Sequence, residues 1–121
     1  MQRMGVLIAV IFVCGCVGTR TVKRPPSRVE TEFLAQPCCQ TTYALVGEQQ
    51  QAAVPLILKT LERYPGETNA PIRCLVMQGA LWRAECCTNT AFAALIQRGT
   101  NDPAASVRTK TTHMLERARK K

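Results

Sequence analysis

The chain has 121 residues and a formal net charge of +8 at neutral pH. This length suits one small domain and not two. Aromatic residues make up only 5% of the chain, and none alternates with Lys or Arg as a base-stacking surface requires. We therefore expect no nucleic acid partner, and attribute the charge to a basic surface near anionic lipid.

The first fifteen residues have the layout of a secretory signal. A positive start at Met1–Arg3 precedes an apolar run from Met4 to Val13, which is followed by the small residue Gly15 and by Cys16. This order of charged, apolar and small residues is typical of a cleaved signal peptide. The apolar run is too short to span a bilayer, which takes about 20 residues.

The ending Val13-Cys14-Gly15-Cys16 resembles the lipobox of bacterial lipoproteins, although Cys14 stands where Ala, Ser or Thr is commoner. The resemblance implies cleavage before Cys16 and acylation of that residue, and several acyl chains give stable anchoring. Position 17 is Val and not Asp, which by resemblance to lipoprotein sorting in Gram-negative bacteria implies the periplasmic face of the outer membrane, or the cell surface. An ordinary signal peptide or a weak membrane anchor are the alternatives.

Residues 16–31 predict a flexible basic tether after the lipidated cysteine. Pro25, Pro26 and Ser27 are mixed with basic residues and show no apolar period, so no packed element is expected there. Positive charge next to a membrane is attracted to anionic headgroups. The folded domain is expected over residues 32–121.

The domain shows helical periodicity and no strand pattern, which predicts an all-α fold. Cap residues and Pro or Gly breakers set the predicted helix bounds. The first two predicted helices cover about residues 38–47 (stopped by Gly47) and 50–64 (started or kinked by Pro55). Asn69 caps the third, Thr88 or Asn89 caps the fourth, which ends at Gly99, and Asp102-Pro103 opens the fifth, whose last turn holds Lys120. In the third of these, one buried stripe is expected to contain Ile72, Leu75, Val76, Gly79 and Arg83, with Trp82 partly buried beside it.

An internal match at an offset of 35 residues suggests a repeat. Glu67-x4-Ile72-Arg73 recurs as Asp102-x4-Val107-Arg108, and this pattern resembles the HEAT repeat of paired antiparallel helices. The resemblance implies a short stack of about two helix pairs with an N-terminal capping helix. It makes Glu67 and Asp102 turn acids, Ile72 and Val107 core residues, and Arg73 and Arg108 the arginines that reach neighbouring turns. A non-repetitive helical bundle is the alternative.

Five cysteines remain beyond Cys16. In an oxidising compartment, we expect one disulfide to join Cys38 or Cys39 to Cys86 or Cys87, and Cys74 to be a buried free thiol. The alternative is that all five are reduced. Their spacing matches neither a zinc site nor a C-x-x-C redox motif, so we expect no metal and no cofactor.

No catalytic motif is present, and the single histidine, His113, has no acidic residue at helical spacing before it. The sequence therefore predicts a non-enzymatic protein: a lipid-anchored module that binds another envelope protein through Trp82, Arg83 and Arg98. The alternative function is a small structural lipoprotein of a secretion or conjugation assembly. A cysteine-based redox or metal function is the third hypothesis.

Overall fold

The structure is a computed structural model that describes residues 25–120, so Cys16 and the whole predicted signal lie outside the described residues. Within this range the fold is all-α, and no strand is present. Short 3-10 turns at Gln50–Ala53 and Thr90–Phe92 precede two of the helices. The α-helices are α1 Arg28–Ala35, α2 Cys39–Gln49, α3 Val54–Arg63, α4 Ala70–Ala80, α5 Ala84–Thr88, α6 Ala93–Thr100 and α7 Ala105–Arg119.

Helix α4 is the centre of the packing. It lies against α2 on one side and α7 on the other, while α1 covers α2, and both α5 and α6 pack on α7. The core side chains come from every one of these layers; among those that are fully buried are Phe33, Leu45, Ile57, Met77, Leu95 and Met114. The N-terminal helices therefore belong to the same core as the C-terminal ones.

Helix α1 begins at Arg28, so residues 28–31 belong to a helix and not to the predicted tether, and the predicted boundary at residue 32 was wrong. Ser27 caps α1, because its Oγ accepts a hydrogen bond from the Glu30 amide at 3.1 Å. The same hydroxyl donates to Glu48 at 2.6 Å, and Gln49 donates to Glu30 at 2.8 Å. These side-chain bonds fix the start of α1 to the end of α2, and Phe33 is then buried completely.

Two predicted helix features differ from the structure. Helix α2 continues past Gly47 and ends where Gln50 takes a positive φ of 54°. Pro55 lies in the first turn of α3, where its missing amide costs no hydrogen bond, so it starts that helix and does not kink it.

The buried face of α4 also differs from the predicted stripe. Leu75 is 42% exposed, whereas Arg73 is 2% exposed. Arg73 turns inward because a carboxylate from the α6–α7 connection is available to pair with it. Val76 and Gly79 are buried as expected. The other buried residues of the helix include Arg73, Met77 and Ala80, so the buried face is displaced by about one residue from the predicted one.

Candidate interaction surface

An exposed tryptophan stacked under an arginine forms the first half of the surface. Trp82 follows the end of α4 and is 40% exposed. The guanidinium carbon of Arg117, on α7, lies 4.1 Å from the centre of its ring. Arg117 also donates from Nη1 to the Trp82 carbonyl at 3.1 Å. These two contacts hold the indole and the guanidinium flat against each other.

A second aromatic–arginine pair lies beside the first. Tyr43 on α2 is 40% exposed, and the guanidinium carbon of Arg83 lies 3.8 Å from its ring centre. Arg83 donates from Nη1 to the Tyr43 carbonyl at 3.0 Å. An added Cβ at Gly47 would lie 2.7 Å from Arg83 Nη2, so this glycine gives the arginine room to lie flat on α2. Each such pair contributes about 0.5–1 kcal/mol at an exposed site.

A shallow groove of about 280 Å³ connects the two rings. Its walls are Cys39, Gln40 and Tyr43 from α2, and Gln78 and Trp82 from the α4 side. Gly79 sets the distance between the walls, because an added Cβ there would collide with the Cys39 carbonyl oxygen and the Thr42 side chain. The two rings line the groove, and each is stacked against one arginine. We name the four residues Tyr43, Trp82, Arg83 and Arg117 the aromatic–arginine surface.

Arg98, the third predicted contact residue, pairs with a carboxylate elsewhere in the fold, and its role as a partner contact stays a prediction. Its Nη1 donates to Asp102 Oδ2 at 2.6 Å. Asp102 also receives a two-pronged contact from Arg73, with Nε to Oδ2 at 3.0 Å and Nη2 to Oδ1 at 2.9 Å. The Ala104 amide donates to Oδ1 at 2.9 Å. Arg98 therefore forms an ion pair whose carboxylate is buried, while 30% of its own side-chain surface stays exposed.

Asp102 stays ionised in this cluster. Burial by itself raises the pKa of its carboxyl, but the hydrogen bonds from Arg73, the Ala104 amide and Arg98 outweigh it and lower the pKa to about 2. The bond to Asp102 is in turn the main cause that raises the pKa of Arg73. Nη1 of Arg73 donates to the Tyr64 and Gly66 carbonyls at 2.6 and 2.7 Å.

The other residues of the repeat pattern occupy varied environments. Arg108 donates to the Asp102 and Pro103 carbonyls at 2.7 and 3.0 Å, so each arginine of the pattern contacts its preceding turn. Val107 is buried, Ile72 is half-buried and Glu67 is exposed. Glu67 thus differs from Asp102, although the pattern pairs them. The equivalence of the two helix pairs stays a prediction.

The predicted disulfide is absent: the five cysteines from residue 38 to residue 87 are all free thiols. Cys39 opens α2, while Cys86 lines a cavity with Val46 and Gly47 near the other end of the same helix. Seven residues of helix from Cys39 to Val46 separate these regions by about 10 Å, and a disulfide needs Cα atoms within about 7 Å. Cys87 instead faces α7, with its Sγ 4.0 Å from the Met114 carbonyl oxygen.

The thiols differ in acidity. Burial raises the pKa of Cys86 and of Cys87. Burial acts the same way on Cys38, but hydrogen bonds with Thr41 and backbone amides prevail and lower the pKa of that thiol. Cys74 was expected to be a buried free thiol; it is free, but it is only half-buried. Over residues 25–120, no cluster of three His, Cys, Asp or Glu side chains is placed to hold a metal ion.

None of the helices that the structure describes combines the length and apolar character needed to cross a bilayer. His113 is exposed on α7. Comparison with known proteins gives no relative: no family model matches the chain, and no curated protein or solved structure matches it significantly.

The sequence indicated Trp82 and Arg83 as contact residues but missed Tyr43 and Arg117. No local signal marks either residue, because both belong to ordinary helices. Arg117 and Trp82 are 35 positions apart, and only the packing of α5 and α7 brings them together.

Proposed function

We propose that the protein is a membrane-anchored envelope lipoprotein whose helical domain is a non-catalytic protein-interaction module. The anchoring part rests on the lipobox resemblance that ends at Cys16. Acyl chains on that cysteine would hold the domain at the membrane. The repeat resemblance, with Arg73 and Asp102 joining successive turns, supports a short HEAT-like stack as its scaffold.

The observation that carries the binding part is the aromatic–arginine surface. Trp, Tyr and Arg are enriched among the residues that dominate the energetics of protein interfaces. The two aromatic side chains bury a large area at a low cost in conformational entropy. Here Trp82 and Tyr43 are both 40% exposed, and each is already held by a stacked arginine. Leu75, one turn before Gly79 on α4 and 42% exposed, adds apolar area on the same helix.

The experiment is site-specific photocrosslinking in intact cells. A photoreactive amino acid replaces Trp82 in one strain and Lys59, exposed on α3, in a control strain. We expect a discrete protein adduct from position 82 and none from position 59, and mass spectrometry identifies the captured protein. Equal adducts from both positions, or none from position 82, would contradict the proposal.

The lipid part is tested in parallel with Cys16→Ser. This change should abolish acyl-chain labelling and release the protein from the membrane fraction. An adduct with components of a secretion or conjugation assembly would favour the structural role considered above. Labelling that persists in the Cys16 variant would refute the lipoprotein assignment.

A further inference from the structure

The two surface arginines have hydrogen-bonding capacity to spare. A guanidinium carries five N–H donors in a planar fork, and the contacts within the described residues use one from Arg83 and one from Arg117. The ion pairs over residues 25–120 involve Arg28, Arg73 and Arg98, so neither surface arginine has a carboxylate of this range within 4 Å. Their rings and carbonyl partners nevertheless fix their positions.

From this arrangement we infer that the aromatic–arginine surface recognises an acidic segment of a partner protein, with an apolar side chain inserted in the groove between Tyr43 and Trp82. The inference rests on the proposed function and specifies the chemistry of its partner. Carboxylates would bind the free edges of the two guanidinium groups, which accept planar, two-pronged partners. Neither arginine needs to be reoriented, which lowers the entropic cost of binding.

A third cation strengthens the charge complementarity. Lys110, half-buried on α7, lies close enough to Cys39 for its charge to oppose the burial that raises the pKa of that thiol. Cys39 lines the groove. Positive charge therefore lies against the two rings that line the groove, at Arg83 and Arg117, and near its Cys39 wall, at Lys110. An acidic segment bound there would meet all three charges.

The shape of the site favours a protein segment over a lipid surface. The groove of about 280 Å³ is concave and lies between two rings, whereas a bilayer presents a broad surface that cannot enter it. The indole face of Trp82 that contacts Arg117 is covered by that side chain. An inserted side chain reaches the groove without separating this pair.

The test uses Trp82 as a reporter, since it is the only tryptophan in the chain. The full chain is placed in neutral-lipid nanodiscs and titrated with a synthetic peptide of Glu interspersed with Leu and Phe. Two control peptides carry Lys for Glu, or Ser for Leu and Phe. We expect a saturable blue shift of the emission with the first peptide only, because the indole loses water contact.

Arginine variants decide whether the charges are responsible. Arg83→Gln and Arg117→Gln should each raise the dissociation constant about three- to tenfold, and added salt should raise it further. Arg119→Gln is the matched control, since Arg119 is exposed on the same helix as Arg117. Arg83→Lys keeps the charge and should bind more tightly than Arg83→Gln, which separates a charge effect from misfolding.

Several outcomes would overturn the inference: equal binding of the Lys peptide, unchanged affinity in both Gln variants, or no saturable shift with any peptide. If vesicles of anionic phosphatidylglycerol alone shift the emission, the surface faces lipid and the inference is wrong. A position-82 adduct in cells without a response to the acidic peptide would leave the proposed function standing and refute only the partner chemistry. If position 82 gives no adduct in cells, the proposed function itself is refuted.

Discussion

Removing the carboxylate of Asp102 should destabilise the fold more than any surface charge change. Asp102 is 1% exposed and Arg73 2% exposed, so Asp102→Ala leaves a buried guanidinium without its counter-charge. Breaking a buried pair from one side costs about 3–5 kcal/mol. Arg73 keeps its bonds to the Tyr64 and Gly66 carbonyls, and Arg98 is 30% exposed and can be hydrated. We therefore expect the lower end, about 3 kcal/mol.

This loss is a large share of the stability of a small domain, which is about 5–15 kcal/mol in total. Urea unfolding of the full chain, followed by circular dichroism at the helical minimum, measures the free energy of unfolding for each variant. Arg28→Ala is the control. It removes an ion pair of the same type with Glu32 that is exposed, at 90% and 56% of the side-chain surface, and should cost less than about 0.5 kcal/mol.

A second variant separates the lost pairing from the lost volume. In Arg73→Met/Asp102→Leu, both charges are replaced by apolar groups, and such replacements of buried pairs are often neutral or better. We expect the double variant to recover part of the stability that Asp102→Ala loses. The reasoning is refuted if Asp102→Ala lowers the free energy of unfolding by less than about 1 kcal/mol, or if the double variant is less stable than Asp102→Ala.

Three further outcomes are expected. The pKa of Asp102 is lowered from 3.8 to about 2 in the folded state, so its contribution to stability of about 2 kcal/mol is present above pH 4 and disappears as the pH falls toward 2. The free energy of unfolding should therefore fall over this pH range in the wild type but not in Asp102→Asn. The same pH dependence in both proteins would contradict this prediction. Gly79→Ala should destabilise by about 1–3 kcal/mol, since the added methyl meets the Cys39 carbonyl and Thr42; a neutral effect by urea unfolding would mean that α2 and α4 are not closely packed. Alkylation of the unreduced, denatured chain should modify all five cysteines from residue 38 to residue 87, and mass spectrometry counts the added groups. A chain in which two of these five cysteines escape alkylation would restore the disulfide hypothesis.

Local chemistry in the sequence was enough for most of the secondary structure. Helix α4 begins at Ala70, directly after Asn69 and with Pro71 in its first turn, and α3 ends before Pro65-Gly66. These bounds are predictable because prolines and glycines act within one helical turn, although the predicted cap Asn69 makes no side-chain capping bond and donates to the Pro65 carbonyl instead. The all-α class follows from the same periodicity. The short helix α5 and the early start of α1 at Arg28 were missed, since their signals are only a few residues long.

The functional arrangement was decided by tertiary packing. The repeat resemblance implied that Arg73 reaches a neighbouring turn, but its burial depends on Asp102, which is 29 positions away and lies opposite it. The same carboxylate also pairs with Arg98. Trp82 and Arg117 likewise meet only because α7 packs along the end of α4. A sequence specifies which groups carry charge or aromatic surface, but the free energy of each depends on which neighbour the fold brings within a few ångströms, and no local pattern encodes that neighbour.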